Sequence, residues 1–287
     1  MQTITDRLSS IVSDIRMEGY TDLQMEVVAS HVSGLTSGFR NIDDWTGGLQ
    51  RGELFVIAAP PLMGMTQFAI SLGNNVIQKK LRVAYFSTFL CEDQIIKKLL
   101  ANYLRISIKD LLRGNINEKF DLIDQYPTGQ LYIEDTPELT AKIIEEKMDS
   151  LVDCPSYMII DDLNLFERHL DTSTTDKILK IKGIARKYNI SAIVFYNTQD
   201  LPCDPELAQT QFVEYQINEV YSEIDRRLID SLCTSYRPEY FRITEDEQGR
   251  STLGTANFII LKHECGAGIT TFNYKYEYSL FEEIEAE

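Results

Sequence analysis

The chain has 287 residues, 44% of them hydrophobic, which suffices for a sizeable core in one large or two modest domains. Acidic residues outnumber basic ones by 44 to 28, so the formal net charge is −16. That balance argues against strong non-specific nucleic-acid binding, because proteins that grip a phosphate backbone present a basic patch. No apolar run approaches the roughly 20 residues that cross a bilayer. Scattered cysteines without a CxxC pair predict reduced thiols in a cytoplasmic protein.

Residues 1–33 are predicted to form an N-terminal helical arm, separate from a domain that fills residues 34–287. Within the arm, apolar side chains recur every three or four residues and form one helical stripe. The stripe either packs on its own domain, which the periodicity alone favours, or lies on a neighbouring subunit. Its members are Ile4, Leu8, Ile11, Val12 and Ile15.

Strands and helices are predicted to alternate from residue 54 to residue 196, after a turn-rich stretch over 34–51. This alternation predicts an α/β fold in which helices cover both faces of a mainly parallel sheet. Ligands of such folds bind at the carboxyl ends of the strands. The predicted strands are 54–58, 81–87, 130–135, 157–162 and 190–196, and the predicted helices are 67–78, 92–104, 107–124 with a break near 114–115, 140–152 and 174–188.

The C-terminal third has a different pattern. Residues 200–216 are polar and predict a long loop, and residues 218–232 predict a helix. Two β-rich segments, 258–262 and 270–276, flank Gly266-Ala267-Gly268. They predict an antiparallel hairpin that extends the sheet.

The stretch between the first strand and the first long helix has the layout of a phosphate-binding loop. In that layout, backbone N–H groups at a helix N-terminus cradle phosphate oxygens. The pattern requires a Lys before Thr66, but the chain has Met65, whose thioether is only a weak acceptor. Gly64 and Thr66 also have a purely structural explanation, as a backbone turn and a helix cap. The candidate loop comprises Ala59, Pro60, Pro61, Leu62, Met63, Gly64, Met65 and Thr66.

Over residues 35–284 these motifs, in this order, resemble the C-terminal motor domain of replicative helicases of the DnaB family. The resemblance implies a RecA-like P-loop NTPase fold and a role in DNA replication. The stripe in the arm stands where that family has a linker helix, and no counterpart of the family's N-terminal domain precedes it. The resembling segments are 36–43, 46–54, 58–66, 85–87, 159–165, 198–199, 236–240, 244–247 and 262–268.

By this resemblance the loop would bind ATP with Mg²⁺. Thr66 and Asp161 would hold the metal, Gln199 would sense a γ-phosphate, and Lys262 would offer a cation from the same or another subunit. Asp161 and Gln199 also have explanations without a function: Asp161 as the solvated end of a strand, and Gln199 as an amide in a surface loop. Binding is expected to be weak, because losing one charged hydrogen bond costs about 1.5–3 kcal/mol.

At three positions where the family has residues that bind phosphate or catalyse hydrolysis, this chain has a different residue. Met65 replaces the phosphate-loop Lys, Phe89 aligns with the catalytic Glu, and Glu264 aligns with the Arg of a Lys-x-Arg finger. A phenyl ring cannot accept a proton from water, and an arginine finger contributes about 10³–10⁵ in rate. The neighbouring Glu92 is an alternative base, but it lies three residues further along the chain and is expected to point elsewhere. The family's DNA-channel stretch has no counterpart, and the alignable residues 219–225 are acidic on balance.

These departures favour a DnaB-like protein that has lost ATP hydrolysis and unwinding and acts as a binding or regulatory module. Two alternatives stay open: a nucleotide sensor without turnover, and an active ATP-dependent helicase with replaced catalytic residues. The expected partners are a second copy of the chain or a helicase or replication protein, with weak or no direct DNA binding. A ring, a dimer and a monomer are all compatible with the sequence.

Overall fold

The computed structural model describes residues 34–116, 119–199, 209–246 and 248–284. The arm predicted for residues 1–33 lies outside these ranges. Within them, no helix combines the length and the apolar character that crossing a membrane requires.

Nine strands in the described residues form one sheet, in the order β3-β2-β4-β5-β1-β6-β7-β8-β9. The strands from β3 to β6 pair in parallel, and β7, β8 and β9 continue the sheet antiparallel. The mainly parallel sheet with an antiparallel extension that the sequence predicted is therefore confirmed. The strands are β1 Leu54–Ala59, β2 Val83–Ser87, β3 Leu131–Glu134, β4 Tyr157–Asp161, β5 Ser191–Asn197, β6 Ser231–Tyr236, β7 Thr255–Lys262, β8 Gly268–Lys275 and β9 Leu280–Glu283.

Helices connect the parallel strands and pack on the sheet. The described residues also contain three short 3₁₀ turns, Thr128–Gln130, Pro238–Phe241 and Tyr276–Tyr278. The α-helices are α1 Arg40–Thr46, α2 Met65–Gln78, α3 Glu92–Leu104, α4 Ile108–Leu112, α5 Phe120–Ile123, α6 Ala141–Ser150, α7 Thr174–Tyr188 and α8 Gln209–Glu223.

The central strand β1 explains how the sheet is covered on both faces. All six of its residues are buried, and successive side chains alternate between two apolar clusters. Phe55 and Ile57 join the cluster under α2 and α3, whereas Leu54 and Val56 join the cluster under α6 and α7. The continuous apolar run that predicted a buried strand thus supports a layer of helices on each side.

A serine side chain caps the N-terminus of α7. Ser173 Oγ accepts the backbone N–H of Asp176 at 3.1 Å. Replacing Ser173 by Ala is expected to lower the free energy of unfolding by about 1 kcal/mol, because that N–H loses its partner. Urea denaturation measures the change, and Ser222→Ala inside α8 is the control, since an exposed Ser→Ala change within a helix is close to neutral. An equal loss at both serines would contradict the capping role.

The predicted boundaries in the C-terminal third were wrong. The loop predicted for 200–216 becomes helical from Gln209, and the helix predicted for 218–232 ends at Glu223. Residues Phe212, Gln216 and Val220 are buried at a spacing of four. A polar residue in the middle of this stripe hid the helical period. The Oε1 of the buried Gln216 accepts the Thr198 hydroxyl at 2.8 Å.

The turn-rich stretch before β1 contains α1, which the sequence did not predict. The Glu283 carboxylate of β9 accepts the backbone N–H groups of Arg40 and Asn41 at 2.8 and 2.7 Å. This cap comes from more than 240 residues away along the chain, so local patterns carry no sign of it. Strand β9 was missed as well.

The hairpin of β7 and β8 confirms the prediction for residues 258–276. The indole of Trp45, in the last turn of α1, covers the start of β8 at Gly268. A Cβ at Gly268 would lie 2.6 Å from an indole carbon, so only glycine allows this contact. Trp45 remains 37% exposed.

Candidate functional site

The predicted site residues around the loop come together at the carboxyl edge of the parallel sheet. Ala59 ends β1 opposite Asn197 of β5, and Ser87 ends β2 opposite Asp161 of β4. These registers bring residues 59–66 to the same edge as the segments that follow β2, β4 and β5. A strand edge of this kind is where open α/β sheets bind their ligands.

Residues of β6 and the turn after it hold the loop backbone. Ser235 Oγ donates to the Met63 carbonyl at 2.9 Å, and Arg237 Nη1 donates to the Leu62 carbonyl at 2.6 Å. Leu62 itself has a positive φ of 70°. Of the loop residues, Ala59, Pro60, Met63, Gly64 and Met65 are buried, Thr66 is half-buried, and Pro61 and Leu62 are exposed.

Two aromatic rings close one side of the loop. Gly64, at φ +86°, is the residue before α2, and a Cβ there would lie 2.9 Å from Tyr274 and 3.0 Å from Phe281. The guanidinium of Arg237, which holds the Leu62 carbonyl, lies 4.4 Å from the centre of the Tyr274 ring. Gly64 is therefore fixed both by its backbone conformation and by close packing.

Met65 belongs to the apolar core. This residue is 7% exposed and lies in the same cluster as Tyr274 and Phe281. A Lys at this position in a phosphate loop projects its charge toward phosphate oxygens, whereas the Met65 side chain contributes packing. The loop thus retains its backbone N–H groups and lacks a cation of its own.

Asp161 and Thr66, the predicted metal ligands, lie together. Asp161 is 2% exposed, and its Oδ2 accepts the Tyr85 hydroxyl at 2.8 Å. Burial raises the pKa of Asp161 to about 6, and the carboxylate of Asp162 adds to the increase, although hydrogen bonds from Tyr85 and Thr66 oppose it. Tyr85 was missed by the sequence reasoning, since it looked like one more apolar residue of β2.

Asp162 has a different environment from its neighbour. Its Oδ1 accepts the Leu165 backbone N–H at 3.0 Å, and its Oδ2 accepts a hydrogen bond from Asn197 Nδ2. Burial raises the pKa of Asp162 above its ordinary value, against these hydrogen bonds. Asp162 therefore organises the turn after β4 and joins it to the end of β5.

Phe89 stands two residues beyond β2, where the resemblance places the catalytic Glu. Its ring is 50% exposed and has no atom that could accept a proton. The alternative acid, Glu92, is the first residue of α3 and is exposed. Its backbone N–H donates to Asp135 Oδ2 at 2.8 Å, which ties this helix start to the turn after β3.

Gln199 lies beside the loop. The preceding residue, Thr198, donates its backbone N–H to the Ala59 carbonyl at 3.0 Å. Gln199 is exposed, and its own N–H donates to the Glu219 carboxylate of α8 at 2.6 Å. A side chain that follows β5 can thus face a ligand at the loop, with an acidic residue as its neighbour.

Lys262 is not near the loop of the same chain. It ends β7 opposite Leu232 of β6, and β7 runs antiparallel to the central strands, so Lys262 lies toward the amino edge of the sheet. Its Nζ donates to the carbonyl of Arg226 at 2.7 Å and to that of Ile229. The prediction that Lys262 supplies a cation within its own subunit was wrong, because strand direction places it at the opposite edge. Glu264 follows it in an exposed turn.

Comparison with known sequences identifies relatives among replicative helicases. The family model of the DnaB-like helicase C-terminal domain matches residues 34–198. A probable replicative DNA helicase of Trieres chinensis is 30% identical over 177 residues, which cover 56% of this chain and 39% of the relative. The replicative DNA helicase DnaC of Bacillus subtilis is 27% identical over 202 residues, or 63% of this chain and 43% of the relative. This chain therefore matches about two fifths of the length of each.

Solved structures show the same fold. One of them, a structure of an isolated ATPase domain, superposes with a TM-score of 0.74 at 19% identity, covering 99% of this chain and 100% of that domain. A DnaB-like replicative helicase, described with its interactions with primase, gives a TM-score of 0.69 at 19% identity, covering 98% of this chain and 72% of the other. The family match covers more than half of the sequence, and the chain therefore belongs to the family of DnaB-like helicase C-terminal domains.

Proposed function

We propose that this chain is a helicase-family module that does not turn over ATP and that acts through binding. The observation that carries the proposal is the half-exposed phenyl ring of Phe89, two residues beyond the end of β2. A general base must lie within hydrogen-bond reach of the attacking water, and no side-chain atom of Phe89 can serve. Met65 and Glu264 support the same conclusion. Met65 gives the loop no cation of its own, and Glu264, which aligns with the finger Arg of the family, would repel the phosphates at the loop of a neighbouring subunit.

The site still fits a nucleotide in part. Backbone N–H groups at the start of α2 suit phosphate oxygens, and Thr66 and Asp161 are the residues that would hold Mg²⁺. Mg²⁺, when bound, neutralises phosphate charge. Tyr85 already donates to Asp161 and would compete with a metal for that oxygen. ATP binding is therefore proposed to be weak.

The proposed partner is a protein, either a second copy of this chain or a helicase or replication protein. A net charge of −16 disfavours a phosphate backbone as the main ligand. The Glu219 carboxylate, which accepts the Gln199 backbone N–H, adds a negative charge beside Gln199. Light scattering of the purified chain would measure self-association.

A second candidate is a nucleotide sensor that binds without turnover. It is favoured by the contact between Thr66 and Asp161 and by the position of Gln199 next to Ala59. Binding would then change how α8 meets a partner, because Gln199 is tied to that helix through Glu219.

Titration of the chain with Mg-ATP, followed by steady-state hydrolysis, tests these roles. We expect no turnover approaching about 1 s⁻¹, the low end of typical enzyme rates. Combining Met65→Lys with Phe89→Glu is expected to strengthen binding but to restore little hydrolysis while Glu264 remains. Turnover at or above that rate by the unmodified chain would overturn the proposal. Full activity from Met65→Lys alone would contradict the roles given to the other two positions.

A further inference from the structure

One lysine near the loop has no assigned role. Lys98, in α3, is half-buried, and its amine has no hydrogen-bond or ion-pair partner among the described residues. Its neighbour Lys97 differs, since its amine lies 3.6 Å from Asp93 on the exposed side of the helix. A cation that is partly withdrawn from water and left unpaired is costly unless an opposite charge approaches it.

The register of two helices places Lys98 beside the loop. Asn102 of α3 donates to Ser71 Oγ at 3.0 Å and accepts from Asn74 Nδ2 at 2.8 Å, so these parts of α2 and α3 lie level. Both helices follow parallel strands and run in the same direction. Lys98 comes one turn, about 5.4 Å, before Asn102 on the same face. It therefore lies level with the first turn of α2, which contains Thr66.

Electrostatics links Lys98 to the same place. Burial lowers the pKa of Lys98, and the charge of Asp161 raises it in part. Conversely, Lys98 is one of the groups that lower the pKa of Asp161. The amine and the carboxylate thus interact electrostatically, although they form no direct ion pair, and Asp161 also has a hydrogen bond with the side chain of Thr66.

The other cations considered for this site, one beside the loop and one far from it, are already engaged. Arg237 donates to the Leu62 carbonyl and stacks on Tyr274. Lys262 donates to backbone carbonyls toward the opposite edge of the sheet. Among these groups, Lys98 is the one whose amine remains available to an anion.

We propose that Lys98 is the phosphate-binding cation of this site, supplied from α3 in place of the charge that Met65 does not carry. Its ligand is the terminal phosphate of a nucleoside diphosphate or triphosphate, with pyrophosphate as the smallest form of the same chemistry. The proposal rests on the nucleotide-binding candidate above and is independent of hydrolysis. An ammonium on a flexible stem suits this role, because it acts as a point charge and needs no fixed loop geometry.

Calorimetric titration of the full chain with ADP and with pyrophosphate, each with Mg²⁺, tests the proposal. Lys98→Met removes the charge and keeps the length of the side chain, and we expect it to weaken both ligands by about 10- to 100-fold. Lys98→Arg keeps the charge and is expected to restore most of the affinity. Lys97→Met is the matched control on the same helix turn and is expected to stay within about twofold of the unmodified chain, because its amine faces the exposed Asp93.

A charge-relocation variant gives a second test. If Lys98 replaces the loop lysine as the phosphate-binding cation, adding Met65→Lys to Lys98→Met is expected to recover the lost affinity for ADP and pyrophosphate. Because Met65 is buried, circular dichroism is used first to check that this double variant folds. If it does not fold, the affinities of Lys98→Met, Lys98→Arg and Lys97→Met for ADP and pyrophosphate test the assignment.

Two results would overturn the assignment. One is equal affinity of the unmodified chain and Lys98→Met, and the other is no binding of either ligand by the unmodified chain at millimolar concentration. ATP turnover by the unmodified chain would overturn the proposed function and leave this assignment standing.

Discussion

Replacing Asp161 by Asn is expected to raise the free energy of unfolding at pH 7, by about 3 kcal/mol if all hydrogen bonds are kept. The folded chain raises the pKa of this carboxyl from 3.8 to about 6. A difference of about two pKa units corresponds to about 3 kcal/mol. Asn removes the buried charge and can still accept from Tyr85. Asp161 therefore lowers the free energy of unfolding at neutral pH, as expected of a residue that serves a functional site.

The pH dependence of stability separates this explanation from a packing effect. Because the folded state binds the Asp161 proton more tightly than the unfolded state does, this group's contribution is most favourable below about pH 4. It declines as the pH rises from about 4 to 6 and stays low above that. Urea denaturation in EDTA at several pH values should show this decline in the native chain and its absence in Asp161→Asn. Asp121→Asn, at an exposed carboxyl in α5, is the control. An unchanged pH slope in Asp161→Asn would contradict the prediction.

Replacing Gly64 by Ala is expected to lower the free energy of unfolding by about 2–4 kcal/mol. About 1 kcal/mol comes from placing a Cβ at a φ of +86°. A further contribution of about 1–3 kcal/mol comes from overpacking, since the new methyl would lie 2.9 Å from Tyr274 and 3.0 Å from Phe281.

Gly47 provides the matched control for this substitution. Its φ is +65°, and a Cβ there would meet no atom within 4 Å. Gly47→Ala therefore measures backbone strain alone, at about 1 kcal/mol. Urea denaturation of both variants isolates the aromatic contact as the difference. Equal losses at the two glycines would show that the rings do not constrain the loop.

Much of the fold could be predicted from local pattern because its strands are buried on both faces. The apolar runs that end at Ala59 and Asp161 are unmistakable, and each is followed by a helix with its own stripe. The pattern failed where buried positions are polar. Strand β6 reads Ser-Leu-Cys-Thr-Ser-Tyr, and α8 buries Gln216, so neither has a clean hydrophobic period. Their polar groups are buried next to distant segments of the chain.

The site was predictable to the extent that it follows from strand ends. Asp161 and Gln199 lie at or just beyond the ends of parallel strands, and Thr66 follows the loop that leaves β1, so all three lie at one edge of the sheet. Lys262 could not be placed this way, because its position depends on the direction of β7. The relevance of Lys98 depends on how α3 registers against α2, which is fixed by the hydrogen bonds of the Asn102 side chain with Asn74 and Ser71. Such hydrogen bonds join residues that are distant in the sequence, so they produce no periodic pattern from which they could be predicted.

The contact between Trp45 and Gly268 gives the chain a built-in optical probe. Trp45 is the only tryptophan in the sequence, so all indole emission comes from this one position. Its ring rests on the hairpin that also contains Lys262 and Glu264. Any partner that shifts this hairpin would change the solvation of the indole and hence its emission wavelength. Intrinsic fluorescence can therefore report docking at the hairpin without a label.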